Sequence, residues 1–223
     1  MSRRRLSNPR SAEIAARGFV QQSYIVRRVR NGPVEPLPSH QRLPSCVQEH
    51  LRDQVVEVLS RTLIIGNSGS GKSTLAQELA AFTEAPAIDL DIFHWESDGY
   101  GVKRDEDASR QMVQTAATEA RWVIEGVFGW LAEVAVPRAT ALIWLDMPWN
   151  ICRAGLLARG PRRGGTDADH QALLTWAEAY WTRKTSSSFA GHQTIFENFS
   201  TTKYHLHDRT EVSRLLCELA ASR

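Results

Sequence analysis

Thr62-Leu63-Ile64-Ile65-Gly66-Asn67-Ser68-Gly69-Ser70-Gly71-Lys72-Ser73-Thr74 joins three kinds of segment in one short span. Its first four residues are apolar or β-branched, the composition of a buried strand, and Gly66 stops them. The middle satisfies the spacing Gly-x-x-x-x-Gly-Lys-Ser. From Lys72 to Phe82 the residues are good helix formers with an apolar stripe. A glycine-rich turn between a strand and a helix lets successive backbone N–H groups curl round an anion. The helix start aims its unpaired N–H groups at the same place. Lys72 adds a full charge on a flexible stem, suited to the β- and γ-phosphates of ATP or GTP. Ser73 offers a hydroxyl to Mg²⁺, and Thr74 can meet the α-phosphate. The predicted phosphate cradle is therefore Gly66, Asn67, Ser68, Gly69, Ser70, Gly71, Lys72, Ser73 and Thr74.

Outward from this loop, apolar strands alternate with helical stretches. Strands are expected at 86–91, 122–126, 140–145 and 203–206, and helices at 105–120, 148–158, 169–183 and 209–221. That alternation argues for an α/β fold with a parallel sheet covered on both faces. In such sheets ligands collect at the carboxyl ends of the strands, where three carboxylates fall. Asp91, closing the second strand, can hold an acceptor hydroxyl and take its proton, or cap the next turn. Glu125, after Trp122-Val123-Ile124, can orient Mg²⁺ or hydrogen-bond the phosphate loop. Asp146 reads as a turn or cap residue before the helix at 148–158. Phe93, His94 and Trp95 are candidate walls of an acceptor pocket, whereas Trp176, Tyr180 and Trp181 sit at the spacing of helix packing.

Arg153, Arg159, Arg162 and Arg163 cluster in a glycine-rich stretch after the fourth strand. A mobile arginine loop can close over transferring phosphate and exclude water, so Arg159, Arg162 and Arg163 are expected to act with Lys72 and Asp91.

The 223 residues carry 42% hydrophobic side chains and a net charge of +2. Residues 1–60 hold ten arginines against five acidic residues, so a basic extension precedes a mildly acidic domain. Proline and arginine density predicts disorder over 1–46 and a nucleotide-binding domain over 47–223, entered through a short helix at 47–59. A basic tail can meet nucleic acid, but the chain has no recognised DNA-reading motif, so that partner is not favoured. Apolar runs reach about five residues, short of the roughly 20 a membrane span needs. Cys46, Cys152 and Cys217 show no pairing or metal-ligand spacing, which fits a reducing cytoplasm. The seven histidines are scattered, with His205 and His207 alternating on the last strand.

With these residues in view, the chain resembles the adenylate-kinase-related P-loop proteins, and among them the group labelled topology modulation proteins. The resemblance runs from about Arg61 to Leu216. It rests on the glycine-rich loop, Leu90-Asp91-Ile92-Phe93-His94-Trp95, Val123-Ile124-Glu125-Gly126, Arg138-Ala139 with Trp144-Leu145-Asp146-Met147-Pro148, and Glu211-Val212. It implies a P-loop NTPase three-layer sandwich, a five-stranded parallel sheet in the order 2-3-1-4-5, and a short lid after the fourth strand. It also implies Asp91 at the acceptor side, Glu125 near Mg²⁺ and the Arg159 region closing over phosphate. Two departures stand out: the group commonly has Asp where Glu125 stands, and the lid lacks a four-cysteine staple. The expected activity is transfer of the γ-phosphoryl of ATP to a small nucleoside, nucleotide or other hydroxylated metabolite. The alternative is a nucleotide-dependent regulatory ATPase or a DNA-associated, topology-modulating binding protein.

Overall fold

The centre of the sheet is β1 (Arg61–Gly66), and everything that positions the glycine-rich loop hangs from it. The computed structural model describes residues 45–96, 101–161 and 164–221, without the side chains of residues 45–48 and 51. The basic extension at 1–46, except for its last two residues, lies outside the described residues, as do Arg162 and Arg163.

The described chain falls into two units. One, Val56–Arg214, contains the whole sheet; the other takes residues through Val55 and from Leu215 onward. The described part of the second is helical: most of α1 (Ser45–Val58) and the end of α9 (Arg209–Ala220).

Within Val56–Arg214 the order is β1, α2 (Lys72–Thr83), β2 (Ala87–Asp89), α3 (Asp91–His94), α4 (Glu106–Ala117), β3 (Trp122–Gly126), α5 (Gly129–Ala135), β4 (Ala141–Leu145), α6 (Trp149–Arg159), α7 (Asp167–Glu178), α8 (Phe189–Asn198) and β5 (Thr202–Leu206), ending in the first half of α9. The strands form one parallel sheet in the order β2-β3-β1-β4-β5. Ile64 stands opposite both Glu125 and Ile143, which brings the ends of β1, β3 and β4 level.

Every residue of β3 and β4 is buried, as expected of strands covered on both faces. Side chains alternate across a strand, so Leu63, Ile65, Ile124, Leu142 and Trp144 share one face. They form a core with Val113 of α4, Leu131 and Ala135 of α5, and Ile195 of α8. Helix α2 packs on β1, β2 and β3 through its own apolar stripe, Leu75, Ala76 and Leu79. Three layers result, with the loop between β1 and α2 at the carboxyl edge of the sheet. This is the P-loop NTPase architecture.

The second strand is shorter than its sequence suggests. Asp89 Oδ1 accepts the Asp91 N–H at 2.9 Å, and the Leu90 N–H donates to Glu125 O at 2.8 Å. An aspartate that caps its own chain two residues on starts a turn, so Asp91 opens a helical turn instead of ending the strand. The helix expected at 169–183 likewise stops at Glu178 and tightens into a 3₁₀ turn over Ala179–Trp181. Among the described residues, no helix is long and apolar enough to cross a membrane.

Candidate phosphate and acceptor site

The glycine-rich loop is held by backbone contacts and by two side chains. Gly69 has φ +79°, a conformation that side chains disfavour. It also lies so close to the Cys152 carbonyl that a β-carbon would collide with it. From the other side, a β-carbon on Gly155 would press on the Gly69 carbonyl. The loop and α6 therefore meet main chain to main chain. Asn67 fixes the loop's base: its Nδ2 donates to Ala177 O, and its Oδ1 accepts the Ser68 N–H, each at 2.8 Å. Arg209 lies against Gly71 and donates from Nη1 to Ser70 O at 2.9 Å.

Several features of this loop fit an anion. Helix α2 begins with no side-chain cap and no acidic residue in its first turn, which leaves its positive end for a ligand. Ser70 Oγ is buried with no hydrogen-bond partner among the described residues. Lys72 is only 7% exposed, and its ammonium is folded back onto Asn67 O at 2.9 Å, from which it can turn outward.

Beside the loop stands an oxygen-rich corner. Ser73 Oγ donates to Glu125 Oε1 at 2.5 Å. Glu125 is buried, and desolvation raises its pKa above the ordinary 4.5. The charge of Lys72 and the Ser73 hydrogen bond oppose that rise, and the neighbouring charges of Asp89 and Asp91 add to it. Carboxylates crowded in this way, next to a hydroxyl, form the hard-oxygen set that suits Mg²⁺. The extra methylene of Glu125 brings its carboxylate to the hydroxyl directly.

A cavity of about 1010 Å³ unites these groups. Ser68, Gly69, Gly71, Lys72, Ser73 and Thr74 line its phosphate end, with Glu125 beside them. Gly66, Asn67 and Ser70 are not in its lining; they support the loop. Arg159, at the end of α6, also lines the cavity. Asp89 and Asp91 border the same space and lead to a wall that includes His94, Trp95, Phe128 and Trp130. The His94 ring packs on Phe128 at 3.9 Å and meets Trp95 edge-on at 4.4 Å. Burial, helped by the Lys103 charge, lowers the His94 pKa to about 4, and its Nδ1 has no hydrogen-bond partner among the described residues. His94 is thus a neutral polar point in an aromatic wall at neutral pH. Phe93, by contrast, belongs to the core.

A second buried network supports β3 from behind. His192 Nε2 faces the Val127 carbonyl at 3.0 Å, so it carries the proton. Nδ1 must then accept, and the Tyr180 hydroxyl donates to it at 2.7 Å while receiving the Trp144 indole N–H at 3.2 Å. Burial pushes the His192 pKa down to about 3, consistent with a neutral ring whose two nitrogens are both satisfied.

Sequence reasoning did not single out Arg209, Lys103, Phe128 or Trp130 as lining this space. Arg209 reaches the loop only because β5 lies beside β4, and no local pattern announces that. Asp146 is not a helix cap: α6 begins after Pro148 without a side-chain cap, and the Asp146 carboxylate turns to His205 and His207.

No protein-family model and no curated protein matches the chain. Among solved structures, the chain is similar to a shikimate kinase from Bacteroides thetaiotaomicron, at 18% identity and TM-score 0.45, over 72% of this chain and 96% of that one. It is also similar to a gluconokinase from Sinorhizobium meliloti, at 15% identity and TM-score 0.46, over 74% and 92%. A sugar kinase from Janibacter aligns at 16% identity and TM-score 0.45, over 71% and 93%. Likenesses this distant say nothing about the reaction; the chain's own residues must carry that argument.

Proposed function

We propose that the protein is a phosphotransferase that moves the γ-phosphoryl of ATP, or GTP, to the hydroxyl of a small acceptor. The observation that carries this reading is the single cavity running from Lys72 and Ser73 past Glu125 to Asp91 and the aromatic wall. Transfer to an acceptor needs room beside the phosphate loop, and the aromatic-walled end of the same cavity would supply it.

The nucleotide's phosphates would lie on the loop, with Lys72 leaving Asn67 O to reach the β- and γ-oxygens. Mg²⁺ would be held by Ser73 and Glu125, and when bound it neutralises charge on the phosphates. The acceptor hydroxyl would sit against Asp91, which takes its proton as the new bond forms. The P–O bond to the β-phosphate breaks, a P–O bond to the acceptor oxygen forms, and the nucleoside diphosphate leaves. Arg159, with Arg162 and Arg163 as a short lid, would close on the equatorial oxygens and keep water out. The aromatic wall and the neutral His94 favour an acceptor with a flat or apolar body and a hydroxyl, a nucleoside or nucleotide among them.

The reading makes ADP release depend on the acceptor. A panel of nucleosides, nucleotides and hydroxylated metabolites should contain at least one that raises ADP formation well above the acceptor-free rate. ATP turnover that stays the same across such a panel would remove the kinase reading and leave a slow ATPase. The nucleic-acid alternative depends on residues 1–46, and no described residue speaks for it.

A further inference from the structure

Asp146, His205 and His207 form a cluster outside the cavity; none of the three lines it. Trp144 and His205 are register partners on β4 and β5, and their rings stack at 4.1 Å and 5°. That stacking fixes the His205 imidazole so that Nε2 lies 3.2 Å from Asp146 Oδ2. One residue beyond the strand, His207 follows the two-residue period onto the same side, and its Nδ1 lies 3.6 Å from the same oxygen. Asp146 itself is anchored by its N–H, which donates to Leu206 O at 2.9 Å. The His207 N–H is held in turn by Glu211 Oε2 at 2.6 Å.

We propose that these three side chains form a binding site for a borderline divalent cation, with Zn²⁺ the best fit. One donor atom from each residue lies within 4.8 Å of the other two. A tetrahedral ion with ligands at the usual zinc distances holds neighbouring donors about 3.3 Å apart. The two nitrogen-to-oxygen separations, 3.2 and 3.6 Å, bracket that figure. Two imidazoles and one carboxylate suit Zn²⁺ and its neighbours, whereas Mg²⁺ prefers all-oxygen sets. The convergence also needs a reason. His205 alone is in hydrogen-bond reach of the carboxylate oxygen, and His207 Nδ1 points at the same atom from 3.6 Å without bonding it; an ion among them takes a lone pair from each. Asp146 is largely buried, while the His207 side chain is 54% exposed. The open side thus faces solvent, where water completes the coordination.

The site's position gives it leverage. It joins the end of β4 to the exit of β5, two residues before Arg209, which holds Ser70 O of the phosphate loop. Occupancy would fix the turn that presents Arg209 and so tighten nucleotide binding from outside the cavity.

The test uses untagged full-length protein stripped with a chelator and titrated with Zn²⁺ by competition calorimetry. A parallel titration with Co²⁺ reads the visible absorption of a four-coordinate ion. One equivalent should bind, with intense visible Co²⁺ bands. His207→Ala, at an exposed position, and Asp146→Asn should each weaken Zn²⁺ affinity by about 10-fold or more, while Lys72→Ala leaves it unchanged. Circular dichroism on each variant separates loss of ligand from loss of fold. The proposal is overturned if stripped protein binds no Zn²⁺, or if folded His207→Ala and Asp146→Asn bind it as the parent does. Binding abolished by Lys72→Ala but not by these two would assign the ion to the phosphate loop and overturn it equally. These outcomes do not depend on whether any acceptor is ever phosphorylated.

Discussion

Ser73 Oγ donates to Glu125 Oε1 across 2.5 Å, which ties the residue after the loop lysine to the end of the neighbouring strand. The contact crosses from α2 to β3 and brings a hydroxyl and a buried carboxylate to one point. It makes the protonation of one side chain a control on whatever cation joins the nucleotide there.

Because Glu125 has a raised pKa, it ionises at a higher pH than an ordinary glutamate. Magnesium-dependent nucleotide affinity should therefore climb as pH rises above 4.5 and level off once Glu125 is ionised. Glu125→Gln should flatten that climb and weaken magnesium dependence throughout. A Mg²⁺ dependence that varies with pH in the same way in the variant would count against the assignment. Titration of a fluorescent ATP analogue over a pH series reads both effects.

The same group fixes a sign for stability. A carboxyl with a folded pKa above its unfolded one binds protons more tightly when folded, so its contribution to stability falls as pH rises from 4.5 through the raised value. In ligand-free protein, Glu125→Gln should remove this downward slope and be relatively more stable at neutral pH. Urea midpoints measured with and without the substitution decide it; parallel pH curves would show that Glu125 is not the source.

Lys72→Ala should lower nucleotide affinity or turnover by about two to three orders of magnitude, the scale of losing one preorganised charged donor. Thermal stability should change much less, since the ammonium's described hydrogen bond is to a loop carbonyl. Calorimetry with Mg·ATP checks the first part and differential scanning the second.

His192→Ala should be costly to the fold. It strips the Tyr180 hydroxyl of its acceptor and the Val127 carbonyl of its donor in a fully buried place. Unpartnered buried groups cost about 1–3 kcal/mol each, so a loss of about 2–6 kcal/mol in unfolding free energy is expected. A loss below 1 kcal/mol in urea melts would mean that water replaces the ring without penalty.

Gly69→Ala should damage the loop through the backbone alone. The alanine backbone must adopt a left-handed conformation, at a cost of about 1–3 kcal/mol, and its methyl group must displace the Cys152 carbonyl. Both nucleotide affinity and melting temperature should fall. Parent-like values in both assays would show that the loop yields more readily than its packing implies.

Much of this architecture could be read locally. Residues 62–74 carry strand, turn and helix signals in immediate succession, and β3 and β4 are apolar runs bounded by breakers. The helices that escaped notice signal less: α3 is one turn, α5 starts on a glycine, and α8 holds Gly191, although its Ser188 cap is a start signal that local reading could have used. The candidate site divides in the same way. Lys72 and Ser73 are visible from spacing, whereas Arg209 meets Ser70 across 139 residues and His192 meets Val127 across 65. Those pairings exist only once the strand order has placed the segments side by side. The Asp146, His205 and His207 cluster was hidden for the same reason, since its members come from different strands.

Gly69 meets Cys152 and Gly155 through main-chain atoms on both sides. At this contact the cradle is propped by carbonyls, with no side chain there to trim or enlarge, so that part of the phosphate end offers little room for gradual adaptation. The opposite wall, built of His94, Trp95, Phe128 and Trp130, consists of side chains that can be exchanged one at a time. Efforts to redirect the protein toward a different small molecule should begin at those aromatics and leave the glycines alone.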